Sequence, residues 1–305
     1  MRIGRALISS LLAALFCVAC IPANATILHT WVSGLNGNDN ACTGIRQMPC
    51  ATFTKAMSLT SPGGTISVGD PGDFGPLSIT QSVTIEGYNM GTIGFGNTTN
   101  RIDVAPLTSS PINVILSGLR IDGQGTGSTG IVIQGAVNLS VDSCRFQGFV
   151  STGIYLSSTG TQSLVMTNSV INGGNIGGQG VVLAYGGGGP VAALDHVTIM
   201  GMTGYAVGNF SPGVLQVTNS VLTQSALGAY AAFGTISIAN TALTSNQTAI
   251  LAESGAKIRL DTNDIYDSTT AAIGNDGGQV KTSGTNRTSG AILISPSLVT
   301  KSVLF

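Results

Sequence analysis

One spacing governs the middle of this chain: apolar, any residue, apolar, four residues, apolar. Seven copies of it lie between Val114 and Ile265. They are Val114/Leu116/Ile121, Leu139/Val141/Phe146, Leu164/Met166/Ile171, Ala192/Leu194/Ile199, Leu215/Val217/Leu222, Ile236/Ile238/Leu243 and Ile258/Leu260/Ile265. Measured on the last member, the copies recur at a nearly constant step of roughly 20–30 residues, the period range of solenoids. Self-similarity of this kind marks a stack, because a unit this short cannot bury its own apolar face and must lie on the next.

The same region excludes the competing architectures. No helical pattern of 10–15 residues separates the strand-like segments, so an α/β barrel or a doubly wound sheet is ruled out. The L-x-x-L-x-L pattern of leucine-rich repeats is absent. A β-sandwich would not hold one internal template through seven copies. What remains is an all-β, single-stranded parallel β-helix with about 9–10 coils, each stacked ~4.8 Å from its neighbour.

The ends differ from the middle. Arg2 and Arg5, then the apolar run from Ala6 to Val18, then Ala23-Asn24-Ala25, read as a signal peptide over 1–25 and hence an exported protein, secreted, periplasmic or at the cell surface. Val18-Ala19-Cys20 leaves open a lipidated Cys20. A loop and capping helix are expected over 26–62, and the β-helix domain over 63–305. Cys50 to Leu59 is the one helical stretch: Phe53, Ala56 and Met57 share a face and Thr52 is its N-cap. Such a helix covers the first coil, which would otherwise expose core and strand edges. Cys42 and Cys50 bracket a polar loop, and an oxidising compartment predicts a disulfide between them. Cys144 is left as a free thiol in a strand. Between Ile85 and Ile121 an insertion is expected over Asn89 to Arg101.

Two further columns accompany the apolar ones. Ser143, Asn168, His196, Asn219, Asn240 and Thr262 stand three positions before the last apolar member of copies two to seven. These types suit a bend, since they tolerate left-handed backbone and bond locally, so the column reads as structural. The strand opening each coil is apolar on both parities, as in Gly153-Ile154-Tyr155-Leu156 and Gly228-Ala229-Tyr230-Ala231. With Ile131 and Ile133 inward, an outward stripe of Val132, Tyr155, Val182, Val207, Tyr230 and Leu251 is expected. Such a stripe serves as a ligand groove, a partner surface or a seat for a covering loop. The Gly-rich segment from Tyr185 to Gly189 is a candidate cover.

Charge narrows the partners. Charged residues make up 8% of the chain and the net charge is -1, falling to -3 once Arg2 and Arg5 are removed. A weakly acidic surface without Lys/Arg clusters argues against nucleic acid. After residue 26 nothing approaches the ~20 apolar residues of a membrane span. No cofactor motif and no metal-binding loop are present. Asp261, Asp264 and Asp267 lack the spacing of a calcium loop.

The coils, with strings such as Gly130-Ile131-Val132-Ile133 and Leu139-Ser140-Val141-Asp142-Ser143-Cys144-Arg145-Phe146, resemble right-handed parallel β-helix proteins of the pectin-lyase-like superfamily. The opening, Thr30-Trp31-Val32-Ser33-Gly34, Cys42, Pro49-Cys50-Ala51-Thr52-Phe53 and Gly63-Gly64-Thr65-Ile66, is similar to a group of exported bacterial β-helix-repeat proteins without an established activity. The resemblance implies a right-handed coil. It specifies fold far better than function. Superfamily lyases hold Ca²⁺ with acids and use Arg or Lys as base, whereas hydrolases use clustered aspartates. This chain has no Asp-Asp pair, and hydrolysis needs two carboxylates flanking the bond. Arg120 and Arg145, one position before Ile121 and Phe146, are expected to stack on neighbouring coils, with Asp122 and Asp142 close by. They form either a patch for a carboxylate or a solvated salt-bridge cluster. Asp195-His196 lacks a third partner.

The favoured reading is a non-catalytic binding or display module for a polysaccharide or cell-envelope component. Its candidate ligand face comprises Tyr155, Tyr185, Tyr230, Arg120 and Arg145. A lyase or hydrolase acting on an acidic polysaccharide, and a purely structural surface protein, stay open as alternatives.

Overall fold

The computed structural model describes residues 27–94, 100–157, 159–184, 186, 188–290, 292–294 and 299–301. The expected signal peptide, Cys20, Tyr185 and part of the expected insertion therefore lie outside the described residues. Among the described residues no helix is long and apolar enough to cross a membrane.

Every strand in the ladder pairs parallel to its equivalents one period away, which makes the molecule a β-solenoid of about 9 coils. Each regular coil contributes three strands to three walls. Thr129–Ile133 belongs to the third wall, Val137–Asp142 to the first and Arg145–Gln147 to the second. The third wall is a separate sheet of ten strands.

The seven apolar triplets account for this register. Leu139 pairs with Leu164, Val141 with Met166 and Phe146 with Ile171. The pattern continues rung by rung to Ile258, Leu260 and Ile265. Every triplet side chain is at most 3% exposed. Since alternate positions on a strand share a face, the first two members point inward from the first wall and the third fills the core from the second. Burying one such side chain stabilises the fold by about 1.5–3 kcal/mol, and stacking makes the stabilisation cumulative.

The N-terminal end is covered as expected, by a shorter helix. It spans Phe53–Leu59, buries Phe53 and Ala56, and is capped by Thr52, whose side chain accepts from the Lys55 N–H at 3.1 Å. Asp39 holds the entry by accepting from the Ala51 and Thr52 amides and the Thr52 hydroxyl. The Cys42–Cys50 disulfide closes the preceding loop. The insertion is narrower than the sequence implies. Val83–Ile93 is one continuous strand with an irregularity between Glu86 and Gly91, and the next strand already begins at Asn100. The extra residues sit in a bulge where Tyr88 and Asn89 take positive φ.

Candidate functional site

Turning the chain between the first and second walls requires one left-handed residue per coil. Ser143, Asn168, His196, Asn219, Asn240 and Thr262 all have φ between 49° and 54°. The residue just before this bend is acidic in several coils, and its carboxylate is held from the next coil. Asp142 accepts from the Thr167 hydroxyl at 2.6 Å and the Asn168 amide at 2.9 Å. Asp195 accepts from Thr218 and Asn219 at 2.7 Å each, and its other oxygen meets His196 Nδ1 at 2.8 Å. Asp261 accepts from Ser283 at 2.6 Å and from Thr285 at 2.9 Å. These donors favour the ionised form. The Thr218 hydroxyl, then Asn219 and His196, draw Asp195 down to about 2. Asp142 and Asp261 are lowered chiefly by Thr167 and by Ser283 respectively. These carboxylates are committed to tying coils together, and His196 to Asp195. One position further on, an inner ladder that the sequence does not signal repeats the device. Cys144 N–H donates to Ser169 Oγ, Val197 N–H to Ser220 Oγ and Thr241 N–H to Asn263 Oδ1. Cys144 lies in this ladder, and burial pushes its thiol up to about 11.

Arg120 and Arg145 pair directly across neighbouring coils on the second wall. Arg120 Nη2 is 3.0 Å from Asp122, which also accepts from Gln147 at 2.8 Å. Arg145 has no ion-pair partner among the described residues. The two guanidinium groups border a groove of about 590 Å³ with Asn89, Ser143 and Asn168.

The tyrosines are elsewhere, on the third wall. Tyr155 pairs with Val132 and Val182, and Tyr230 pairs with Gly208 and Leu251. The outward row therefore reads Val132, Tyr155, Val182, Gly208, Tyr230, Leu251. It corrects the expected stripe at two coils: Val182 keeps its place in the row but is buried, 3% exposed, and Val207 leaves the row. Val207 pairs with Val181 and Ala229 and is fully buried, while Gly208 takes the outward place. The strand Tyr205–Asn209 is offset by one position from the sequence alignment, and such a slip exchanges the two faces. Over Gly208 the rings of Tyr205, Phe210 and Tyr230 meet with centroids 5.3 to 5.4 Å apart. The Tyr230 hydroxyl donates to Glu253. Tyr155 and Tyr230 share a row three rungs apart, whereas the arginines are on another wall. The structure therefore does not bring the tyrosines and arginines into one site.

A further groove has no counterpart in the sequence reading. On the first wall Gln216, Ser237, Arg259 and Lys281 form one outward row. Thr218, Ala239 and Asp261 form the next, and Ser283 closes it. Between the rows runs a groove of about 600 Å³. Ser237 and Ala239 are short and leave its floor open. Arg259 and Lys281 occupy neighbouring rungs, and Lys257 lies two positions before Arg259 on the same face. None of these three cations has an ion-pair partner among the described residues. A signal for the pair exists in the sequence, since Arg259 and Lys281 stand one coil period apart.

The aspartates near the C-terminus do not converge. Asp264 pairs with Arg287 at 2.5 Å, Asp261 faces the groove and Asp267 occupies a bend at φ 55°. Among the described residues the one cluster of three metal-ligating residues is Asp39, Cys42 and Cys50, and its cysteines are joined to each other. Sulfur in a disulfide is not a thiolate ligand.

No family model matches the sequence, and no curated protein matches it either. Solved structures do match in shape. A pectate lyase, Pel9A, superposes with a TM-score of 0.64 at 13% identity, over 91% of this chain and 79% of that one. An alginate lyase from Paenibacillus sp. gives 0.56 at 14% identity, over 83% of this chain and 97% of that one. At such identities the likeness is one of architecture, and it agrees with the ladder above: this chain has a parallel β-helix fold like that of these two lyases.

Proposed function

We propose that this protein is an exported glycan-binding module that holds an acidic polysaccharide in the first-wall groove beside Arg259 and Lys281. The observation that carries the reading is the run of cations on two neighbouring rungs, none of them in an ion pair among the described residues, above a floor of Ser237 and Ala239. Elsewhere the chain is weakly acidic, so this groove is where an anionic chain gains most from electrostatic attraction. Gln216, Thr218 and Ser283 add hydroxyl and amide partners along it. Two similar solved structures are a pectate lyase and an alginate lyase, which supports a polysaccharide partner. The Cys42–Cys50 disulfide supports export, because such bonds persist in oxidising compartments.

Binding without cleavage is favoured by the state of Asp261, the carboxylate lining the groove. Ser283, Thr285 and Thr262 all donate to one of its oxygens and hold it ionised. That leaves it a poor proton donor, and a hydrolase needs both an acid and a second carboxylate. Calorimetric titration of the mature chain with oligogalacturonate and with oligomannuronate tests the proposal. Binding of either is expected to weaken steeply as salt rises, and to fall about tenfold or more in the double variant Arg259→Ser/Lys281→Ser. Salt-independent binding, or release of unsaturated uronate from either oligosaccharide, would overturn the reading.

A further inference from the structure

We propose that the second wall carries a separate oxyanion site, in which Arg120 and Arg145 grip a sulfate or phosphate monoester borne on a sugar. The two residues face each other from paired strands of neighbouring coils, about 4.8 Å apart along the stack. Like charges at facing positions repel, so the fold gains nothing from placing them there. In the same row the rungs on either side are uncharged, with Thr92 before the pair and Val170 after it. Neutralisation is supplied to only one of the two. Asp122 pairs with Arg120 at 3.0 Å, and the same oxygen accepts from Gln147 at 2.8 Å. Asp142, three residues before Arg145, is engaged by Thr167, Asn168 and Ser143. Arg145 is exposed and has neither an ion pair nor a side-chain hydrogen bond among the described residues. The salt-bridge cluster that the sequence leaves open therefore does not close around it.

A second feature meets the arginines at the same level. The strand one coil earlier, Val83–Ile93, loses register between Glu86 and Gly91 and recovers it just before Thr92, the rung partner of Arg120. Asn89, at φ 59° in that bulge, lines the arginine groove. Bulges of this kind re-aim side chains beside functional sites. The geometry selects the ligand class. A guanidinium presents a planar fork that matches two oxygens. A carboxylate has two, and a single fork satisfies it. A tetrahedral monoester has three terminal oxygens, which two forks on neighbouring rungs can share. The groove of about 590 Å³ falls in the size range of small-ligand sites and admits the sugar that carries the ester. Asn89, Ser143 and Asn168 line it with amide and hydroxyl groups suited to the sugar's own hydroxyls. The site therefore differs from the first-wall groove in place and in the shape of the anion it takes.

The test uses the mature chain carrying Arg259→Ser/Lys281→Ser, so that the first-wall groove does not compete. It is titrated in a calorimeter with the β-1,4-linked hexasaccharide of galactose bearing 6-sulfates, with the same sugar bearing 6-phosphates, and with the unmodified sugar. At least one ester is expected to bind about tenfold or more tightly than the unmodified sugar, and which one does so identifies the source of the oxyanion. Adding Arg145→Gln should weaken that binding about tenfold. Arg145→Lys, which keeps the charge and loses the fork, should recover only part of the loss. The melting temperature of Arg145→Gln should equal or exceed that of its parent, because the change removes a repulsion. With Arg259 and Lys281 restored, Arg145→Gln should leave binding of oligogalacturonate as it was, so the two sites can fail separately. Failure of both esters to bind, or equal affinity for ester and unmodified sugar, overturns the proposal. So does full recovery by Arg145→Lys, which would mean diffuse attraction, and so does a lowered melting temperature of Arg145→Gln, which would give the residue to the fold.

Discussion

The first wall near Lys281 and the third wall near Tyr230 belong to two parallel ladders of the same solenoid, yet their outer surfaces have little in common. Both have a gap in an outward row, at Ser237 and Ala239 on the first wall and at Gly208 on the third. Over the first gap the neighbours are Arg259 and Lys281, long cations that repel each other and stay in water, so the gap remains an open groove. Over the second the neighbours are rings, which gain by leaving water, and they close over the glycine. What a small outward residue becomes is decided by the side chains around it. Some of these, such as Arg259 beside Ser237 and Tyr230 beside Gly208, come from the next coil, a full period away in sequence.

The largest effect is expected in the core that both walls share. Phe146→Ala removes a fully buried ring from the stacked column between Ile121 and Ile171, and chemical denaturation should show a loss of about 3–5 kcal/mol. Binding in the first-wall groove should decline together with the folded fraction. A smaller effect is expected at the bends. Asn240→Val places a β-branched residue at φ 49°, at a cost of about 1–2 kcal/mol, while Asn240→Gly should be tolerated. If valine costs nothing, the left-handed column is not what turns the chain.

A pH dependence is expected at the carboxylate bends of the first wall. Asp195 has a lowered folded-state pKa, about 2, so its contribution is present above its unfolded value and disappears as pH falls through the folded one. Thermal melts of the parent chain and of Asp195→Asn should therefore differ at neutral pH and converge as the pH falls towards that folded-state value. A difference that widens on acidification would contradict the assignment. The smallest stability effect is expected from Arg259→Ser/Lys281→Ser. Arg259 is exposed and Lys281 half-buried, and with neither in an ion pair among the described residues the substitutions should shift stability by no more than about 0.5 kcal/mol, while removing attraction for acidic oligosaccharides. A large loss of stability would mean that the cations belong to the fold.

The architecture is legible because it rests on patterns of single residue types. Inward positions demand apolar side chains, bends demand residues that accept positive φ, and both recur once per coil. The outer surface obeys no such demand. Where both parities of a strand are apolar, as in Tyr205-Ala206-Val207-Gly208, periodicity does not say which side faces inward. Aligned on sequence alone, Val207 falls outside, and the glycine on which the ring cluster depends is hidden. The groove at Arg259 and Lys281 escapes notice for a related reason. The two cations look scattered along the chain and become neighbours only once the period is applied. The helix is readable from its apolar spacing and cap, although its first turn starts at Phe53 rather than Cys50.

The parallel register also makes this molecule a ruler with exchangeable divisions. Ile171 and Ile199 are equivalent positions on neighbouring coils, paired across one rung. Excising the period between them rejoins each strand to the partner its successor already had. The cut falls between the groove at Arg120 and Arg145 and the groove at Arg259 and Lys281, and it removes no residue that lines either. It would shorten the stack by one rung, about 4.8 Å, and draw the two grooves together by that step. In a chain of this kind, the distance between two surface features is a quantity that duplication or loss of a coil can adjust in fixed increments.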